Sequence, residues 1–182
     1  LAGGDLDGDG LSELIVGAPH NDDNPFDRGA LYVFKGQTGG LDADLTPADA
    51  DWSLRGTSTL ESVGYSPAIG DFDGDGDDDL VIGCPESAGL NDPLGRSGRV
   101  YLVNDPPDSW GGPDADPAEA ALATWLGDEY PHWVGESVHV GGDLDNDGYD
   151  DILVGANKSS AVAERAGQTY LIRGGEPADL AN

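Results

Sequence analysis

Three short apolar runs, each led by a cluster of aspartates, set the hydrophobic pattern of the chain. Leu14-Ile-Val16, Leu80-Val-Ile82 and Ile152-Leu-Val154 are rich in β-branched residues and too short for a buried helix, so they predict strands. A second run follows each: Gly29-Ala-Leu-Tyr-Val-Phe, Gly98-Arg-Val-Tyr-Leu-Val and Gly167-Gln-Thr-Tyr-Leu-Ile. Their alternation and aromatic content again predict strands. A third kind is built around tryptophan, in Asp51-Trp-Ser-Leu-Arg-Gly56 and Thr124-Trp-Leu-Gly127. A fourth precedes the aspartates, where Ser62-Val-Gly-Tyr65 and Trp133-Val-Gly-Glu136 lead into small and apolar residues. The one helix-like stretch, 116–124, is short and Ala-rich, and reads as a connector running into a strand.

These elements recur in register. Residues 5–19 read DLDGDGLSELIVGAP, 71–85 read DFDGDGDDDLVIGCP, and 143–157 read DLDNDGYDDILVGAN. Their first aspartates lie 66 and 72 residues apart, and the glycines Gly29, Gly98 and Gly167 lie 69 and 69 apart. A full period holds four short strands, the blade of a β-propeller, whereas helical or leucine-rich solenoids have shorter periods or a 3.6-residue pattern. The predicted fold is all-β: three four-stranded antiparallel repeats at about 1–56, 57–127 and 128–182. Leu1 to Gly4 match only the tail of a first strand, and the last residues match only the approach to a Trp strand. The expectation is a fragment of a longer array, since a ring of four to eight blades of this size needs roughly 280 to 550 residues. Alternatively, chains associate to complete the ring, for example as a homo-oligomer of two copies with six blades. Three blades alone leave sheet edges uncovered, so the isolated chain is expected to be oligomeric or aggregation-prone.

Charge narrows the partners. Thirty-six acidic against eight basic residues give −28, which repels nucleic acid and anionic membrane. Such charge often marks disorder, but the recurring apolar runs argue against it here. No stretch is apolar and long enough to span a bilayer, and no signal peptide is visible. The single cysteine, Cys84, excludes an internal disulfide.

The aspartates have the spacing of a metal loop. Ca²⁺ takes six to eight oxygen ligands, and a tight loop supplies them from alternate positions. Positions 1, 3, 5 and 9, with the backbone carbonyl of position 7, give Asp5, Asp7, Asp9, Glu13 and Leu11 in the first loop. The second gives Asp71, Asp73, Asp75, Asp79 and the carbonyl of Asp77. The third gives Asp143, Asp145, Asp147, Asp151 and the carbonyl of Tyr149. Gly10, Gly76 and Gly148 stand at position 6, where the chain must turn sharply. An EF-hand needs a bidentate Glu at position 12, but Val16, Ile82 and Val154 stand there, so that reading is rejected. Two carboxylates 4 Å apart repel by about 4 kcal/mol at an effective dielectric near 20, so a cation is expected in each loop. Three Ca²⁺ ions are expected in all. Mg²⁺ suits the loops less, because it prefers few carboxylates and retained waters.

With the Gly17-Ala-Pro19 and Gly83-Cys-Pro85 turns and the Val63-Gly64 and Val134-Gly135 pairs, these loops resemble the FG-GAP repeat of integrin α-subunit propellers. The resemblance covers nearly the whole chain. It departs in detail: Val stands for Phe in both FG pairs, Asn157 for the last Pro, Glu13 for the usual Asp, and Asn146 for Gly. There is no RGD, and no inserted metal-dependent adhesion domain. The resemblance implies a propeller, usually of seven blades, with calcium in the loop joining the first two strands of a blade. It also implies an extracellular or cell-surface protein that binds proteins or glycans on the opposite face.

The remaining residues carry little chemistry. His20, His132 and His139 share no motif and are expected to be structural or surface residues. Trp52 and Trp125 share a repeat position and are expected in the blade core, whereas Trp110 and Trp133 are less constrained. No Ser-His-Asp order or phosphate loop stands out, and the repeats already account for the carboxylates. The expected function is a non-enzymatic, calcium-binding interaction or adhesion module. The alternatives are an accessory propeller of a secreted hydrolase or lyase, and a structural surface-array protein. The loops at 20–28, 86–97 and 158–166 vary in length and carry Arg28, Arg96, Lys158 and Arg165, which marks them as the expected ligand face.

Overall fold

The computed structural model describes residues 1–21, 28–42, 44–58, 60–88, 96–104, 114–127, 131–159 and 166–177. The first sheet has the order β1 (Ala2–Gly4), β2 (Glu13–Ala18), β3 (Ala30–Phe34) and β4 (Trp52–Arg55). The second has β5 (Ser66–Gly70), β6 (Asp79–Cys84), β7 (Arg99–Val103) and β8 (Ala123–Leu126). The third has β9 (Val134–Gly142), β10 (Asp151–Ala156) and β11 (Gln168–Ile172). Within each sheet every strand pairs antiparallel with its neighbour in sequence, as in propeller blades, and among the described residues the three sheets do not close into a ring. The helix-like stretch is a single turn, α1 (Pro117–Ala120), capped by the Asp116 carboxylate and leading directly into β8.

Period-2 patterning explains the stacking of the sheets. On β6 and β7, Leu80, Ile82, Cys84, Tyr101 and Val103 face the first sheet, where they meet Ile15, Leu31, Val33 and Leu54. Val81, Val100 and Leu102 point the other way, to Phe72, Val138, Ile152 and Val154. The middle sheet is therefore covered on both faces, and every residue of β6 is buried. Trp52 packs against the first of these cores and Trp125 against the second. Adjacent blades also touch through backbone. Gly29 bridges Val63 and Gly98 bridges Val134 in parallel. A side chain on Gly17 would run into the backbone of Gly64, and one on Gly83 into that of Gly135. The Gly-Ala-Pro turn and the Val-Gly pair are thus two halves of one blade-to-blade contact.

Cys84 is a buried free thiol, and burial pushes its thiol well above the ordinary value, so it is inert core. His20 and His139 are exposed, and His132 is buried. No helix among the described residues is long and apolar enough to cross a membrane. Trp110 and Arg165, with residues 22–27, 89–95 and 160–165 of the three variable loops, lie outside the described residues.

Candidate metal centre

Each aspartate loop joins the first two strands of its blade. Its ninth residue opens the second strand as a buried carboxylate: Glu13 is 1% exposed, Asp79 2% and Asp151 0%. Burying a charge this deeply requires donors. Glu13 accepts the N–H of Leu6 (2.7 Å) and of Gly36 (3.1 Å). Asp151 accepts those of Leu144 (3.0 Å) and Gly174 (3.2 Å), and Asp79 accepts that of Phe72 (2.8 Å). The first carboxylate of each loop accepts the position-6 N–H, at 2.8 Å for Gly10, 3.2 Å for Gly76 and 2.9 Å for Gly148. These glycines have φ of 86°, 98° and 100°, the left-handed turn that aims this N–H back across the loop. Position 4 is left-handed in all three loops, and Asn146 (φ 63°) takes the place of Gly8 and Gly74 because Asn tolerates that region.

The folded loops gather carboxylate oxygens. Asp5, Asp7 and Glu13 offer oxygens within 4.8 Å of one another, as do Asp71, Asp73 and Asp79, and Asp143, Asp145 and Asp147. Of the position-5 residues, Asp9 and Asp75 stand outside these groups and accept the N–H of Leu11 (2.9 Å) and Asp77 (2.9 Å). Asp147 accepts that of Tyr149 (3.1 Å) while also belonging to its group. In the third blade Asp151 is the one held apart. Asp5 Oδ1 is buried and has no hydrogen-bond partner among the described residues. A buried carboxylate oxygen without a donor is costly, and a hard cation on this all-oxygen set relieves the cost. The residues therefore fit Ca²⁺.

The sequence reading missed two features. First, consecutive loops are stitched together. The Asp78 N–H donates to the Asp5 carbonyl (3.0 Å), and the Asp150 N–H to the Asp71 carbonyl (2.9 Å). The Asp78 carboxylate also accepts the Asp5 N–H (2.8 Å). Second, the residue just past the third strand reaches the position-3 aspartate in every blade. Lys35 bonds Asp7, Asn104 donates to Asp73 (3.2 Å), and Arg173 pairs with Asp145 (3.1 Å). Each stands six residues beyond Gly29, Gly98 or Gly167, so the repeat register held this position all along.

Without a cation two carboxyls of the second loop titrate unusually. The Asp79 carboxyl is pushed up to about 8, chiefly by burial, with the charges of Asp73, Asp75 and Asp71 adding and the Phe72 N–H opposing. Burial likewise raises Asp71. The unfolded value is about 3.9. Between these values the folded chain binds a proton that the unfolded chain does not. This contribution to stability is complete below about pH 4 and lost as pH rises through about 8. In excess chelator, the urea midpoint is expected to fall between pH 5 and pH 8.5; a flat or rising midpoint would contradict this. Saturating calcium is expected to abolish the fall, because the cation requires the ionised carboxylate.

Comparison with known proteins gives one consistent family. The family model for the FG-GAP repeat matches residues 1–34, 63–103 and 134–172. Integrin alpha-5 of Xenopus laevis is 33% identical over 158 residues, covering 84% of this chain and 14% of that protein. Integrin alpha-PS2 of Drosophila melanogaster is 32% identical over 178 residues, covering 89% and 11%. Integrin alpha-IIb of Homo sapiens is 34% identical over 159 residues, covering 86% and 14%. The chain thus spans at most 14% of the length of these three relatives. The three matched segments each hold one aspartate loop with the strands on either side of it, and on that evidence the chain belongs to the FG-GAP repeat family.

Proposed function

We propose that this chain is a calcium-stabilised, non-enzymatic adhesion module that acts outside the cell and binds a protein ligand. One ion per loop is held by Asp5, Asp7, Asp9, Glu13 and the Leu11 carbonyl, by Asp71, Asp73, Asp75, Asp79 and the Asp77 carbonyl, and by Asp143, Asp145, Asp147, Asp151 and the Tyr149 carbonyl. The observation that carries the reading is the convergence of carboxylates in all three loops, with Asp5 Oδ1 of the first buried and, among the described residues, without a hydrogen-bond donor. Kinship to integrin α-subunits supports the adhesive role and the extracellular setting. The ligand face is placed opposite the calcium loops, near Arg28 and Arg96. Calcium works there indirectly, by holding the blades at a fixed angle so that loops from neighbouring blades present one surface.

Calorimetric titration with calcium tests the metal reading. Three equivalents are expected for the chain and two for Asp73→Ala, whose loop loses a central ligand. Three equivalents in the variant, or none in the parent, would contradict it.

A further inference from the structure

The three loops share one backbone design, but the side chain that closes each differs in charge. Lys35 places its ammonium against Asp7 and 3.3 Å from Asp9. Arg173 places its guanidinium 3.1 Å from Asp145. In the middle blade the same position is Asn104, a neutral amide 3.2 Å from Asp73. All three residues immediately follow the third strand of their blade, after Phe34, Val103 and Ile172. The contact is therefore a property of the repeat and its charge a property of the individual blade.

We infer that this position sets the calcium affinity of its loop: Lys35 and Arg173 act as built-in counter-ions that compete with calcium, and Asn104 leaves the second loop the first to fill. The inference rests on the reading that the loops bind calcium. A cation already paired with ligand carboxylates, two for Lys35 and one for Arg173, offsets the repulsion within the metal-free loop. Calcium must then displace it or bind beside a like charge. Both side chains have room to leave, since Lys35 is 40% and Arg173 69% exposed. Such exposed charges are partly screened, so the effect is graded rather than absolute. An amide has no charge to oppose the ion. The array would consequently fill in stages as calcium rises, with the middle blade ordered first and its neighbours following.

The test is a calcium titration of the 182-residue chain at low salt, read by NMR at the amides of Gly10, Gly76 and Gly148, one for each loop. Gly76 is expected to respond at the lowest calcium. Lys35→Gln is expected to tighten the first loop about fivefold, and Asn104→Lys to weaken the second by a similar factor. Both changes are expected to shrink in 1 M KCl, where the screening length is about 3 Å; a purely steric role would not respond to salt. Arg55→Gln, at the opposite end of its blade, is the charge control and is expected to leave all three responses in place. Unchanged affinity in both Lys35→Gln and Asn104→Lys, with all three glycines still responding to calcium, would overturn this inference alone. Glycines that never respond would overturn the calcium reading and this inference with it.

Discussion

Removing calcium is expected to lower the melting temperature of this chain by tens of degrees. A ligand that binds only the folded state adds about 2.7 kcal/mol at a hundredfold excess over its dissociation constant. Three independent loops add about 8 kcal/mol, and at 2–4 °C per kcal/mol for a chain of this length the shift is about 15 to 30 °C. The direction follows from the site. Each loop brings three carboxylates together within 4.8 Å, and its ninth residue is a buried strand opener. When the cation leaves, the loop must open or take up protons, and the first two strands of the blade lose their fixed connection. Asp145→Ala is expected to reproduce part of the loss in one blade, and magnesium to restore little of it. An identical melting curve in excess calcium and in excess chelator would refute the coupling.

The second large effect concerns the contact between blades. Gly98 has φ of 89° and bridges Val134 of the next blade. A β-carbon there would collide with the backbone of Val134, which cannot give way as a flexible side chain can. Gly98→Ala therefore combines the left-handed backbone cost, about 1 to 2 kcal/mol, with an overpacking cost of about 1 to 3 kcal/mol. A loss of roughly 2 to 5 kcal/mol is expected in urea unfolding. Gly175→Ala supplies the control, since no described residue lies within 4 Å of its β-position and its φ is not left-handed. Equal midpoints for Gly98→Ala and the parent chain would mean that the blades do not rely on this contact.

Much of this architecture was legible in the sequence because its determinants are local. An Asp at alternate positions followed by Gly dictates a tight turn whatever surrounds it, and three copies in register identify the repeat. Strand positions followed from the apolar runs, and β2, β6 and β10 lie on them. The site was read less completely. Spacing names every candidate ligand, Glu13 included, but not which carboxylates converge most closely: Asp5, Asp7 and Glu13 in the first loop, but Asp143, Asp145 and Asp147 in the third. The closing residues Lys35, Asn104 and Arg173 escaped notice because their identities differ although their register does not. The stitching of loops through Asp78 and Asp150 is a long-range contact between blades, which no local pattern announces.

The most direct test of the central claim is a crystal structure grown in millimolar calcium, with anomalous scattering recorded at long wavelength. Three anomalous peaks are expected, one inside each aspartate loop and within bonding distance of Asp5 and Glu13, of Asp71 and Asp79, and of Asp143 and Asp145. Loops that are well ordered and hold only water under those conditions would contradict it.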